Sequence, residues 1–383
     1  FLILAMSAFR MAPTDRGVGG FDLLATADVP VLYDPGTHKG RRELGFSDEE
    51  NEKLAGVDVV GFRVHDGDDA SCLNLYQPTQ PRILGAPPSL ADVSRFTWAS
   101  QLEESQYAVI EGSKGDELSD PAARISGWEL LELHLGLDNN RRPIVPMALD
   151  RNTATYSLKL GIGDDLNVNT GAPGGRNFQV VGLLADSVLQ GDVIISEENF
   201  RQLFPDEAGR RFFLIRAGNS QLSPVELATL LETQLEDYGF DAVDSRERLG
   251  ELLAVQNTYL STFQSLGALG LLLGVVGLAV VQLRSVLERR GELALMQAAG
   301  FRRRRLAAMV LAENLVLLVG GLGIGCLAAL AVVLPHAIVE QAGTPWATLA
   351  VMLAIVGVTG IVAGWLASRV VLRAPLLPAL RGE

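Results

Sequence analysis

FQSLGALGLLLGVVGLAVVQL, at residues 263–283, decides the fold, because it runs its whole length without a charged side chain. A helix needs about 20 apolar residues to cross a hydrocarbon core of roughly 30 Å, and this stretch meets the requirement alone. Two runs of the same kind follow, at 306–334 and 346–372, interrupted only by Glu313 and Arg369. A buried core helix would account for one such run. Three in succession predict a membrane-embedded α-helical bundle, in which every backbone amide is satisfied inside its own helix.

Arginine placement predicts the orientation. The loop 284–305 carries Arg284, Arg289, Arg290, Arg302, Arg303, Arg304 and Arg305, whereas the loop 335–345 holds no Lys or Arg. Cytoplasmic loops carry the excess of positive charge. The loop 284–305 is therefore expected inside, the loop 335–345 outside, and the tail 373–383, with Arg373 and Arg381, inside again. Everything before the first span is expected to be extracytoplasmic, on a multi-pass protein of the cytoplasmic (inner) membrane. The opening FLILAMSAF at 1–9 is apolar, too short to span, and lacks the basic flank and cleavage site of a signal peptide. Residues 1–11 are read as the end of a truncated fourth helix, with a buried strand as the alternative. The expected fold is thus three full spans plus the end of a fourth, with an inserted α+β extracytoplasmic domain at 12–250 and a connecting helix within 251–283.

Charge follows the same division. Residues 12–262 hold 40 Asp and Glu against 21 Lys and Arg, while the remainder holds 5 against 11, within a net charge of −13. So acidic a domain repels polyanions, which excludes nucleic acid as a partner. Cys72 and Cys326 fall in different regions, so no disulfide framework is expected.

Inside the acidic domain, strands are expected at 57–64, 107–110, 145–149, 178–184, 193–196 and 212–216, where β-branched and aromatic runs are bounded by Gly, Pro, Asn and Asp. Ser223 followed by Pro224 predicts a helix start. That helix runs to about Tyr238, with Leu227, Leu230, Leu231 and Leu235 on one face. A second helix is expected to begin near Asp244 and to continue unbroken into the first span. The region 35–100 reads as loop-rich.

Catalytic patterns are lacking in the sequence. His38, His65, His134 and His336 stand far apart with no metal-ligand spacing. Asp66, Asp68 and Asp69 have Gly67 out of place for a calcium loop and no closing glutamate, so they read as a solvated turn. GSKGDE around Lys114 lacks the order GxxxxGK[ST] whose lysine and amides bind phosphate, so this chain is expected neither to hydrolyse nucleotide nor to hold a cofactor. Gly270 with Gly274, Gly321 with Gly325 and Gly360 with Gly364 have the spacing that lets membrane helices approach. Glu313 falls about two turns inside the second span, where a carboxylate is costly unless paired or close to the interface. A structural and a transport role both remain open for it.

Residues 257–314 resemble the C-terminal module of the FtsX-like/MacB-type ABC transporter permeases. The resemblance rests on the pattern ERRxEhxxhxAhG, met here by Glu288, Arg289, Arg290, Glu292, Ala299 and Gly300, and on a glutamate early in the next span, Glu313. The ending PLLPALRGE at 375–383 resembles the terminal P-x-x-A-L-R of that family. GIGDDLNVN at 161–169, FQVVGLLADS at 178–187, DVIISEENFRQLFP at 192–205 and RFFLI at 211–215 resemble its extracytoplasmic core domain. The chain departs from the pattern at Gln297, where the family commonly has arginine. The resemblance implies a dimer of permease modules in membrane lipid, bound to cytoplasmic ATP-binding subunits through the motif residues, with an extracytoplasmic adaptor as a further partner. It also implies export or extraction of lipid, lipoprotein or drug, or alternatively a non-transporting regulator of a cell-wall enzyme or sensor. On its own residues, the loop 284–305 can form a short amphipathic helix through Val286, Leu287, Leu293, Leu295 and Met296. Such a helix would seat in an ATPase groove or rest on anionic lipid.

Overall fold

Leu23, Ala25 and Ala27 alternate with Leu24 and Thr26 along one strand, and this period of two sorts the first unit of the molecule into layers. In the computed structural model the described residues are 13–68, 80–102, 127–138, 140–171, 174–220, 222–289, 291–292, 295–296 and 299–340, with nine further positions between 350 and 365. The chain divides into two compact units between Gln256 and Asn257.

The first unit is α+β. Its strands are β1 (Leu23–Val31), β2 (Asp58–His65), β3 (Arg82–Ala86), β4 (Trp98–Gln101), β5 (Val145–Asp150), β6 (Asp165–Val168), β7 (Arg176–Leu184), β8 (Asp192–Ser196), β9 (Arg210–Arg216) and β10 (Phe240–Asp244). They form one sheet in the order β10-β1-β9-β2-β3-β8-β5-β7-β4, with β6 on β7. Pairing is antiparallel except between β3 and β8 and between β5 and β7. Short helices α1 (His38–Glu43), α2 (Asp48–Lys53), α3 (Ser89–Val93) and α4 (Glu197–Leu203) punctuate it, and α5 (Pro224–Gln234) covers one end.

Two cores divide the sheet into lobes. Leu23, Ala25, Phe213, Ile215 and Phe240 pack against Leu227, Leu231 and Leu235 from α5 and the turn after it. Met147, Leu149, Phe178, Val180, Val193 and Ile195 pack with Phe200 and Phe204 from α4 and its end. The lobes join where β2 pairs with β3, Arg63 opposite Gly85. Phe200 lies directly on Gly85, where any Cβ would collide with its ring.

The start expected at Ser223 is a capping box. Its hydroxyl accepts from the Glu226 amide, and the Glu226 carboxylate accepts from the Ser223 amide. Five of the six expected strands are present at or within two residues of their predicted limits; the sixth, 107–110, lies outside the described residues. The loop-rich reading of 35–100 is corrected. That region contains α1, α2, β2, β3, α3 and β4, held by short-range caps such as Thr37 on Gly40 and Ser47 on Glu50.

The helix expected near Asp244 is α6 (Ser245–Glu288), 44 residues without a break. The Asp244 carboxylate caps it, accepting from the amides of Arg246 and Glu247 at 2.8 and 2.9 Å. In the second unit α7 (Arg303–Glu340) follows, with 38 residues. Among the described residues no helix is long and apolar enough to cross a membrane. Yet the uninterrupted sequence of α6 includes the apolar run 263–283, and most of its described side chains lie open. Leu266, Leu269, Leu272, Leu273, Val276, Val280 and Val281 are all exposed, as are Val316, Leu317, Val319, Ile324 and Leu327 on α7. Gly270, Gly274 and Gly321 likewise face open space. The opening 1–11 and most of 346–372 lie outside the described residues.

Candidate functional site

The arginine-rich loop starts where α6 stops. Arg284 Nε donates to Glu288 Oε1 at 2.8 Å, one helical turn apart, so the last turn of α6 carries an ion pair on its surface. The next residue reaches out of the helix. Arg289 Nη1 lies 3.5 Å from Glu313 Oε2, a partner 24 positions away on α7. Two residues that the sequence marked for separate reasons, one in the loop motif and one inside a predicted span, thus meet. Both are about half exposed, and in water such a pair contributes about 0–1 kcal/mol.

Residues 291–292 and 295–296 are helical, and the turn ends at Gly300. The Ala299 amide donates to the Leu295 carbonyl at 2.9 Å, and the Phe301 amide donates to the Met296 carbonyl at 3.1 Å. The second bond, spanning six residues, is the closing bond of a Schellman motif. Gly300 provides the left-handed residue that such an end requires, with φ +98°. No side chain crowds it, so the backbone alone demands glycine here. Arg290 lies outside the described residues; Glu292, Ala299 and Gly300 are exposed. Of the residues expected in one short helix, Leu295 and Met296 are helical, Val286 and Leu287 belong instead to the end of α6, and Leu293 lies outside the described residues.

α7 begins at Arg303, and the Arg302 carbonyl accepts from the amides of Arg305 and Leu306. Four consecutive arginines, Arg302 to Arg305, stand at the positive end of this helix dipole, with no acidic residue in the first turn. A helix start prefers anions, so these arginines are not favoured by the dipole of their own helix. Leu306, directly after it, is buried.

The first unit holds three features that sequence reading missed. Glu197 at the start of α4 is nearly buried and meets Arg63 Nε at 3.0 Å, Arg201 at 2.7 Å and Arg210 at 3.7 Å. Burial pushes its carboxyl up, but the arginines more than offset this and hold it below the usual range. Arg63 and Arg210 belong to one lobe and Glu197 to the other, so this knot pins β2 and β9 to α4. Asp150, at the end of β5, is fully buried and accepts from the Asn152 and Ser187 amides at 2.8 and 2.6 Å. Burial, only partly offset by those amides, raises its carboxyl to about 6.

The third feature is a cavity of about 580 Å³ on the sheet face opposite α5, lined by β1, β9 and β10 and by Glu247, Arg248, Glu251 and Leu252 of α6. Nothing in a linear sequence signals the knot or the cavity, because each joins residues that lie far apart in the chain. Asp150 could have been suspected from its place at the end of an unbroken apolar run. Among the described residues no group of three His, Cys, Asp or Glu side chains could hold a metal. Of the acidic turn at 66–69, Asp66 pairs with Arg211 at 2.8 Å and Asp69 lies outside the described residues.

Residues 265–376 match the family described as FtsX-like permease C-terminal. That span takes in the apolar part of α6, the arginine loop and α7. No curated protein matches the chain. Among solved structures, the periplasmic region of MacB from Actinobacillus actinomycetemcomitans aligns with 61% of this chain and 92% of its own, at 12% identity and a TM-score of 0.31. The extracellular domain of the noncanonic ABC-type transporter YknZ from Gram-positive bacteria aligns with 58% of this chain and 100% of its own, at 12% identity and a TM-score of 0.27. At those scores neither carries an argument, and the family likeness rests on residues 265–376 alone. Through residues 265–376 the chain carries an FtsX-like permease C-terminal domain.

Proposed function

We propose that the chain is the permease subunit of an ABC transporter in the cytoplasmic membrane. In this reading the loop 284–305 takes up movement from a cytoplasmic ATP-binding subunit, and α6 delivers it to the extracytoplasmic domain at 12–250. The observation that carries the reading is the continuity of α6 from Ser245 to Glu288. At 1.5 Å per residue it is about 66 Å long, enough to cross a hydrocarbon core of roughly 30 Å and still reach well beyond it. A helix of that kind passes displacement along its axis without needing a second contact.

Three further observations support it. Large apolar side chains stand exposed along α6 and α7, which soluble surfaces avoid and lipid accepts. Arg302 to Arg305 occupy a helix start whose dipole does not favour them, and anionic lipid or an acidic ATPase groove supplies the negative charge they lack. The exposed Glu288, Arg289, Glu292, Ala299 and Gly300 sit where a partner can reach them. Hydrolysis belongs to the partner subunit, and the chain acts as a dimer of modules. Its cargo is a lipid, lipoprotein or drug handled at the outer leaflet or outside, because the predicted spans offer almost no ionisable path through the bilayer.

The test is to reconstitute the chain with its ATP-binding subunit and replace 288–292 by a Gly-Ser stretch of equal length. ATPase stimulation by the permease is expected to fall several-fold while the complex still assembles. Unchanged stimulation would refute coupling through this loop.

A further inference from the structure

Between β7 and β8 the chain does not run over the surface, as connections ordinarily do. Ser187, Val188, Leu189, Gln190 and Gly191 are buried, and three of their amides go to separate places. Ser187 donates to the Asp150 carboxylate at 2.6 Å, Val188 to the Gly17 carbonyl at 2.9 Å and Gly191 to Thr153 Oγ1 at 2.8 Å. Gly17 in turn is pressed between this connection and α6. A Cβ on it would lie 2.6 Å from the Asp186 carbonyl oxygen and 2.7 Å from Leu249 Cδ2. The connection, the turn at Gly17 and the start of α6, with its buried Leu249, Leu252 and Leu253, thus form one stack, and Asp150 holds one end of it.

The hydrogen-bond partners of Asp150 are neutral: the Ser187 and Asn152 amides and, at 3.4 Å, the side-chain amide of Gln190. Charged groups on the elements around it are turned to one another. Asp186 meets Arg151 at 3.3 Å, Asp192 meets Arg82 at 2.6 Å, and Asp15 meets Arg246; Arg16 and Lys159 are exposed. Of these, Asp186 repels a charge on Asp150. A buried charge without a counter-ion is costly, so the neutral acid suits this place better than the anion. Gln190 can serve both forms, because a side-chain amide offers N–H donors on one side and a carbonyl acceptor on the other. Its Nε2 faces Asp150, and its buried Oε1 has no partner; turned over, the amide accepts from the protonated carboxyl. We propose that Asp150 and Gln190 form a proton-operated clasp, which holds the connection 187–191, and through Gly17 the start of α6, firmly when Asp150 is protonated and loosely when it is ionised. Water reaches the enclosed anion when the connection lifts. Enclosure raises Asp150 to about 6, whereas opening returns it to about 4. Closure is therefore firmest on the acid side of that window and weakens as pH rises through it. The clasp stands on the first unit alone, whether or not α6 transmits movement.

The test follows amide hydrogen exchange of the intact chain in nanodiscs of phosphatidylcholine, corrected for the intrinsic effect of pH. Opening of 187–191 is expected to rise about tenfold or more between pH 4.5 and pH 7.5. The amides of Leu249 and Leu253 in α6 are expected to follow it, while α5, in the other core, does not. D150N, which cannot titrate, is expected to lose the dependence. D186N removes the repelling charge at a partly exposed position and frees Arg151, so it is expected to move the dependence to lower pH. The proposal is overturned if opening of 187–191 in the parent is independent of pH, if α6 does not follow, if α5 opens in parallel, or if either variant keeps the parent's profile. No ATPase is present in this experiment, so its outcome is independent of whether the loop 284–305 couples.

Discussion

Two single positions show how differently a residue can be fixed. Gly300 is held by backbone geometry alone: its φ of +98° lies where a side chain adds steric strain of about 1–2 kcal/mol, although no atom lies near enough to clash. Asp150 is held by the opposite condition, complete enclosure, which raises its carboxyl to about 6 despite the Ser187 and Asn152 amides. The unfolded chain releases this proton near pH 4, while the native state keeps it until about pH 6. Between those values the native state binds more protons, so stability is greatest on the acid side of the window and falls as pH rises through it. A shift of about two pH units corresponds to about 3 kcal/mol. Asp150→Asn cannot titrate, and it leaves one of the two amides without an acceptor, at a cost of about 1–3 kcal/mol. The variant is therefore expected to be less stable than the parent at pH 4.5, with the difference shrinking by pH 7. Thermal unfolding of the intact chain, followed through the edge-to-face Trp98–Trp128 pair, reads this directly. Parallel pH profiles for parent and variant would show that Asp150 is not the group responsible.

Between elements, the contact that matters most for the proposed function is the one from Arg289 to Glu313, at the junction of α6 and α7. In lipid or at its edge, an unpaired Glu313 is far costlier than in water, and Arg289 lies within reach of it. R289E places two carboxylates together and is expected to lower ATPase stimulation several-fold. R289E/E313R restores the opposite charges in reverse and is expected to recover much of the loss. Failure of the double variant to recover anything would mean that each residue acts alone. Much of this region could be read from the chain. The length of α6 follows from the absence of any proline between Ser245 and Glu288, and its start from Asp244; the loop's helix end follows from Gly300. The pairing of Arg289 with Glu313 did not, because 24 residues and a turn separate them and no periodicity links residues across a turn. In the first unit, strands with continuous β-branched runs, such as Val193 to Ile195, announced themselves. β3, whose RILGA has a glycine under Phe200, and β10, whose FDAVD carries two acids at an edge, did not. Their strand character comes from neighbours, Ile83 beside Val193 and Asp244 beside Leu23, not from their own composition. The region 35–100 misled for a related reason: its helices are only five or six residues long, too short for helical periodicity to emerge.

For the molecule as a whole, the proposed function stands or falls on which side of the bilayer each unit occupies. The first unit is strongly acidic, whereas the basic residues of the second gather at 284–305 and in the tail. Insertion retains clusters of arginine on the cytoplasmic side, so seven arginines in one short loop should outweigh any preference of the remaining segments. Single cysteines introduced at exposed positions, in a background lacking Cys72 and Cys326, turn this into a measurement. Tyr156 in the first unit and Phe301 in the loop are 63% and 50% exposed, so reagent access at either depends on the side it faces. In intact cells or spheroplasts, a membrane-impermeant maleimide is expected to label Y156C and to leave F301C untouched until the membrane is opened. Labelling of F301C from outside would invert the topology and leave the loop no cytoplasmic ATPase to meet. Equal labelling of both before lysis would place the two units on one side, and α6, however long, would then have no bilayer to carry movement across.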